Sequence, residues 1–295
     1  MNDTSRWNRS RARLLAAVIA APALLLTACT AGATATSAAQ PASSASGTAT
    51  AVAGWPSAIA AIGHSGLTGY DSGQPQVDAR ANSWATGDNP AVDSVYQRIL
   101  AKNPAIEGHA TNLAVDGSGV VDLLSQAKAL ASTTPKPDLI VVQSIDNDMQ
   151  CDGTDAEHLP VYREGLVEVM EALTEGVPDA TVFFVSQWGT VEIYDAAVSQ
   201  IDPSHVAGTG PCDTVDPATL EVVPEKEAGE QAIVDDYFAT IVDVCSAYEN
   251  CRTDEGAMQS MAIDPEDLTP DLNHLMATGH AKMAAIAWAA LYPDT

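Results

Sequence analysis

Short apolar runs separated by helix-length amphipathic stretches constrain this chain more than any other feature of its sequence. Residues 58–63, 113–115, 139–142 and 182–185 form four such runs. Apolar at successive positions, they suit strands buried on both faces rather than strands wet on one side. Patterns of helical period occupy residues 92–102, 120–130, 159–175, 190–201, 227–248 and 276–291. Strands alternating with helices imply parallel pairing, because a parallel neighbour is reached only through a crossover. The expected fold class is α/β, a three-layer α/β/α sandwich with a central parallel sheet. In such sheets functional groups lie beyond the carboxyl ends of the strands, which is where reactive side chains are to be sought.

This pattern starts only after residue 54. Arg6, Arg9, Arg11 and Arg13 form a positive segment ahead of an uncharged, mostly apolar run of 15 residues, 14–28. That run is short for a membrane-spanning helix, which needs roughly 20 residues. It ends Leu26-Thr27-Ala28-Cys29, which resembles the lipobox of bacterial lipoproteins. The resemblance implies a signal peptide over 1–28 and lipid attachment at Cys29, placing the protein outside the cell membrane as an anchored or secreted chain. Residues 29–54 are almost entirely Ala, Ser, Thr, Gly and Pro and read as a flexible tether. Residues 55–295 then form one domain. The formal net charge of −26 excludes nucleic acid as a partner, since phosphate binding needs clustered Lys and Arg. An acidic, solvated surface accounts for it, and a monomer is expected.

Glycine-flanked polar turns follow the predicted strands. The first run ends Ile62-Gly63-His64-Ser65-Gly66-Leu67-Thr68-Gly69, a serine at a helix entry with glycines on either side. After the second comes Asp116-Gly117-Ser118-Gly119, and after the third Gln143-Ser144-Ile145-Asp146-Asn147-Asp148. Asp271-Leu272-Asn273-His274 precedes the last helix. A serine hydroxyl is a weak nucleophile without an adjacent base. His274 is the candidate base, and Asp271, three residues earlier, can orient its imidazole.

In order and placement these four segments resemble the blocks of the SGNH hydrolases, the GDSL-like lipases and esterases, over residues 58–295. The resemblance implies a flavodoxin-like sandwich and a carboxylester hydrolase working through an acyl-enzyme. Ser65 would be the nucleophile, His274 the base and Asp271 its support. The oxyanion hole would be the Ser65 and Gly117 amides with the Asn147 side chain. His64 stands where the family usually has Asp, and Ser144 or Ile145 where many members have Gly, which leaves support of the nucleophile turn open. No cofactor and no metal is implied. The substrate class is a small-molecule or glycan ester, and the sequence leaves the acyl and alcohol groups open. A carbohydrate O-acetyl esterase or transferase is one alternative; a catalytically silent binding lipoprotein is another.

Several residues have plainer readings. Trp188, directly after the fourth strand, is either a wall of the substrate cleft or a packing residue. His64, beside Ser65 in sequence, is not expected to act as base, because adjacent side chains point apart. His280 is expected to be structural within the last helix, and His109, His158 and His205 are expected on loops. The acidic run Asp146, Asp148, Asp152 and Asp155 lacks the glycine and closing glutamate of a calcium loop. Export would place Cys151, Cys212, Cys245 and Cys251 where disulfides persist, and four cysteines allow three pairings. Cys245 with Cys251 is favoured because they flank one predicted helix end, leaving Cys151 with Cys212. Cys151 follows Asn147 closely enough that its bridge is expected to brace the oxyanion loop.

Overall fold

The computed structural model describes residues 51–208, 210–216 and 218–295. The signal peptide over 1–28, the lipidation site Cys29 and all but the end of the 29–54 tether lie outside the described residues. Among the described residues the sheet has five strands: β1 Ile59–Gly63, β2 Ala110–Asn112, β3 Leu139–Gln143, β4 Thr181–Phe184 and β5 Cys251–Thr253. All are parallel, in the order β2-β1-β3-β4-β5. The helices are α1 Ser65–Thr68, α2 Val95–Lys102, α3 Val120–Leu130, α4 Asp155–Gly176, α5 Val191–Val198, α6 Pro224–Cys245 and α7 Ala277–Leu291.

Alternation along the strands builds two cores. Ile59, Ala61, Leu139, Val141 and Phe183 point to one face and pack with α2, α5 and α7. Ala60, Ile62, Ile140, Val142, Val182 and Phe184 point to the other and pack with α3, α4 and α6. This is the expected three-layer sandwich. The chain leaves β1 for one edge of the sheet, returns, and continues from β3 towards the other edge. The reversal opens a crevice between the carboxyl ends of β1 and β3, the natural binding place in a sheet of this order.

Some boundaries differ from those expected. The second strand lies at Ala110–Asn112 rather than 113–115. It is an edge strand, so polar Thr111 and Asn112 are tolerated there. The Leu113 and Val115 amides still donate to Ala61 and Gly63 carbonyls at 2.9 and 3.1 Å, but Val115 is 55% exposed. β5 was not foreseen: Cys-Arg-Thr has no apolar run. The Cys245–Cys251 disulfide turns the chain back at the end of α6 and delivers this segment to the sheet edge, so α6 stops short of 248. α4 starts four residues before the expected 159, with Pro160 inside it. Pro160 reads as a first-turn residue, yet Asp155 and Glu157 ahead of it favour the positive helix start. His158 therefore lies on α4 and not on a loop, and His205 ends a short 3-10 turn, Pro203–His205. α2 begins at Val95, where Ser94 and Gln97 form a reciprocal cap.

Candidate active site

The end of β1 is shaped by the close approach of β3. Gly63 has φ +148°, and a Cβ there would lie 2.2 Å from the Gln143 carbonyl oxygen, so glycine is required. Gln126 of α3 grips both sides of this residue. Its Oε1 accepts the Gly63 N–H at 2.8 Å, and its Nε2 donates to the Gly63 carbonyl at 3.0 Å and to Ser118 Oγ at 3.1 Å. The chain then turns into α1, which opens with Ser65. His64 caps that turn: its Nδ1 accepts the Gly66 N–H at 3.2 Å.

The loop before α7 brings His274 to Ser65. Asp271 Oδ1 accepts from Thr269 Oγ1 at 2.5 Å, from the Asn273 amide at 2.9 Å and from the His274 amide at 3.2 Å. Asp271 Oδ2 lies 2.7 Å from His274 Nδ1, and His274 Nε2 lies 2.8 Å from Ser65 Oγ. Burial alone would raise the Asp271 carboxyl. The bonds from the His274 and Thr269 side chains and the Asn273 amide outweigh it and pull the pKa down to about 2. The carboxylate is therefore ionised at neutral pH and accepts the Nδ1 proton. That leaves the Nε2 lone pair to accept the Ser65 hydroxyl proton. Two contacts hold the loop and ring in place. Tyr194 Oη donates to the Leu272 carbonyl at 2.9 Å, and the Tyr70 ring lies 4.8 Å from the His274 ring between centroids.

Beyond β2, Gly117 adopts a left-handed conformation with φ +74° and open space where a Cβ would stand. Asn147, beyond β3, donates through Nδ2 to the Ser118 carbonyl at 3.2 Å, joining the two loops. Ser65, Gly117 and Asn147 thus follow three adjacent strands at the same end of the sheet. Asp148 anchors the third loop by accepting the Val120 amide, and Tyr237 Oη donates to the Asp148 carbonyl at 2.8 Å. Cys151 is bonded to Cys212, 61 residues away. That disulfide is one of several ties on the Asn147 loop, so the brace expected of it is shared with hydrogen bonds nearer to Asn147.

The other candidates separate cleanly. Trp188 is 6% exposed and packs edge-on against Tyr194, with ring centroids 6.1 Å apart. It also lines a small cavity with Gln187, Pro211 and Glu230. A packing role accounts for this placement. His280 is buried in α7, and burial first, then His274, pushes its pKa down to about 4. His109 Nδ1 lies 3.1 Å from the Ser57 carbonyl oxygen. The carboxylates of the acidic run serve separate tasks. Asp148 caps α3, Asp152 holds Thr154, Asp155 accepts the Gln150 and Cys151 amides, and Asp146 faces His64. Gln126 and Thr269 escaped sequence reasoning. A signal for Gln126 was present: it is a polar residue among Leu123, Ala127 and Leu130 on the buried stripe of α3.

The fold and the site define a doubly wound α/β protein with Ser65, His274 and Asp271 in a hydrogen-bonded row at its switch point. No family model matches the chain, and no curated protein matches it in sequence. Among solved structures it is similar to an acetyl xylan esterase, AlAXEase, at 14% identity over 79% of this chain and 99% of that one, with a TM-score of 0.49. It is similar to phospholipase A1 from Streptomyces albidoflavus NA297 at 13% identity over 81% and 99%, with a TM-score of 0.48. It is also similar to the psychrotrophic esterase EstA from Pseudoalteromonas sp. at 10% identity over 80% and 97%, with a TM-score of 0.47.

Proposed function

We propose that this protein is a carboxylester hydrolase of the SGNH type that works through an acyl-enzyme on Ser65. The observation that carries this reading is the 2.8 Å contact between Ser65 Oγ and His274 Nε2, with Asp271 2.7 Å behind the ring. Ser65 Oγ attacks the ester carbonyl carbon as His274 Nε2 takes the hydroxyl proton. The Ser65 and Gly117 amides and Asn147 Nδ2 stabilise the oxyanion; one Nδ2 hydrogen serves Ser118, which leaves the second for the intermediate. Collapse breaks the ester C–O bond, and His274 returns its proton to the departing alcohol. Water, deprotonated by the same base, then releases the carboxylic acid and regenerates Ser65. The alcohol portion is a small molecule or an acylated glycan. A fluorophosphonate is the direct test. It should add covalently to Ser65, as seen in the mass of the peptide carrying it, and the addition should abolish cleavage of nitrophenyl acetate. Absence of an adduct, or an adduct on another serine, would favour the silent binding protein instead.

The reading extends to location. Export and anchoring at Cys29 rest on the Leu26-Thr27-Ala28-Cys29 sequence after an apolar run. Among the described residues no helix is long and apolar enough to cross a membrane. A Cys29→Ala chain should lose incorporation of labelled fatty acid and pass to the soluble fraction. Undiminished incorporation would place the lipid elsewhere.

A further inference from the structure

His64 has no part in the ester chemistry above, yet it lies within two residues of every element of the nucleophile turn. It is 1% exposed. Its Nδ1 is committed as acceptor of the Gly66 N–H at 3.2 Å, so in the neutral ring the proton sits on Nε2. That Nε2 lies 3.7 Å from Asp146 Oδ2, and among the described residues neither it nor the buried Asp146 Oδ1 has a hydrogen-bond partner. Asp146 directly precedes Asn147. The residue before it, Ile145, has φ +113°, a strained backbone for a β-branched side chain that persists only when its surroundings hold it. One imidazole therefore spans the crevice, gripping the Ser65 turn at one nitrogen and facing the oxyanion loop with the other.

We propose that His64, as the neutral Nε2–H tautomer, is a positioning residue that couples the Ser65 turn to the Asn147 loop through Asp146. The inference rests on the reading of Ser65 as nucleophile. A helix of four residues has no cooperative stability of its own, so α1 depends on its cap. An imidazolium has no lone pair on Nδ1 and cannot accept the Gly66 N–H. Protonation of His64 therefore removes the cap that holds Ser65 in line with His274. The charged groups facing the ring are Asp146 and Asp116, which favour its protonation, and His274, which opposes it. Burial is the largest influence and holds the ring below the ordinary imidazole range, keeping it in the capping form at neutral pH.

Asparagine separates the cap from the titration, because its Oδ1 accepts at a helix start as well as any side chain and it carries no proton to gain. At pH 8, His64→Ala should lower kcat for nitrophenyl acetate by about tenfold or more with little change in KM, the signature of a misplaced nucleophile. His64→Asn should recover to within about threefold of wild type. The acid limb of log kcat should fall with two protons in wild type and with one in His64→Asn. Asp146→Ala should also lower kcat, and the double variant His64→Ala, Asp146→Ala should be no worse than the poorer single variant. A His64→Ala enzyme within twofold of wild type, strictly additive losses, or the same acid slope in His64→Asn would overturn the coupling. If His64→Ala does not fold, the asparagine variant alone decides through its acid limb. Ser65→Ala in the same assay keeps the two conclusions apart: full activity there removes the ester-hydrolase reading itself, whatever the His64 variants do.

Discussion

Ser65→Ala and His274→Ala each lower kcat/KM for a simple acetate ester by roughly 10⁴-fold or more, with circular dichroism and Tm close to wild type. Removing either residue stops the same event, transfer of the hydroxyl proton across the 2.8 Å contact, so the double variant should be little worse than either single one. Asp271→Asn acts differently. The new amide can donate to His274 Nδ1, which would move the ring proton to Nε2 and turn the lone pair away from Ser65. Its loss should be large, roughly 10³- to 10⁴-fold, and not greater than that of His274→Ala. The pH dependence carries the same logic. Activity falls on acidification, since a protonated His274 cannot act as base. Asp271 cannot be the cause of that fall above pH 4, because its bonds hold its pKa at about 2. Those bonds contribute stability that is present above the ordinary carboxyl range and lost as pH drops towards 2. A rate that does not fall at all on acidification would remove histidine as the base.

Glu230→Gln raises stability at pH 8.5 by about 1–3 kcal/mol and changes it little at pH 5.5. Glu230 is 4% exposed, and its Oε2 has no hydrogen-bond partner among the described residues. Burial, then Asp195 and Asp146, push its pKa up to about 8. Asp195 is also buried, and burial followed by Glu227, against an opposing bond from Thr214, pushes it up to about 7. The sign follows from proton counts. Between about pH 4.5 and 8 the folded protein holds protons on these carboxyls that the unfolded chain has already released, so stability falls as pH rises through that window. Wild type should melt at a higher temperature at pH 5.5 than at pH 8.5. The glutamine removes the Glu230 share of that slope. Equal destabilisation by Glu230→Gln at both pH values would show that Glu230 is ionised and paired in the fold.

Much of this architecture is legible in one dimension, for an identifiable reason. β1, β3 and β4 are buried on both faces, so nearly every residue in them is apolar and each announces itself. α3 carries its Leu123, Ala127 and Leu130 stripe at helical spacing, and its limits agree with those expected, 120–130. β2 and β5 lie at the edges of the sheet. There pairing on one side tolerates Thr111, Asn112, Arg252 and Thr253, and the apolar signal disappears. That Ser65, His274 and Asp271 meet follows from the order and placement of four short turns taken together with their family resemblance, since each turn alone is a common local pattern. The Cys245–Cys251 bridge was legible from short separation, and the Cys151–Cys212 bridge only by what remained.

The sequence by itself determined the alternation of strands and helices, the parallel sheet and the residue types at its carboxyl end. Each of these depends on spacings of a few residues, which local backbone geometry converts directly into faces and turns. Only the tertiary structure decided which side chains share a bond. It placed Gln126 of α3 on both sides of Gly63, 63 residues away in sequence, and set Thr269 against Asp271. It committed Trp188 to the core beside Tyr194, and turned His64 inward to cap Gly66 while facing Asp146. These contacts join segments far apart along the chain, and hydrogen-bond direction and burial exist only once the strands have set the distances between them.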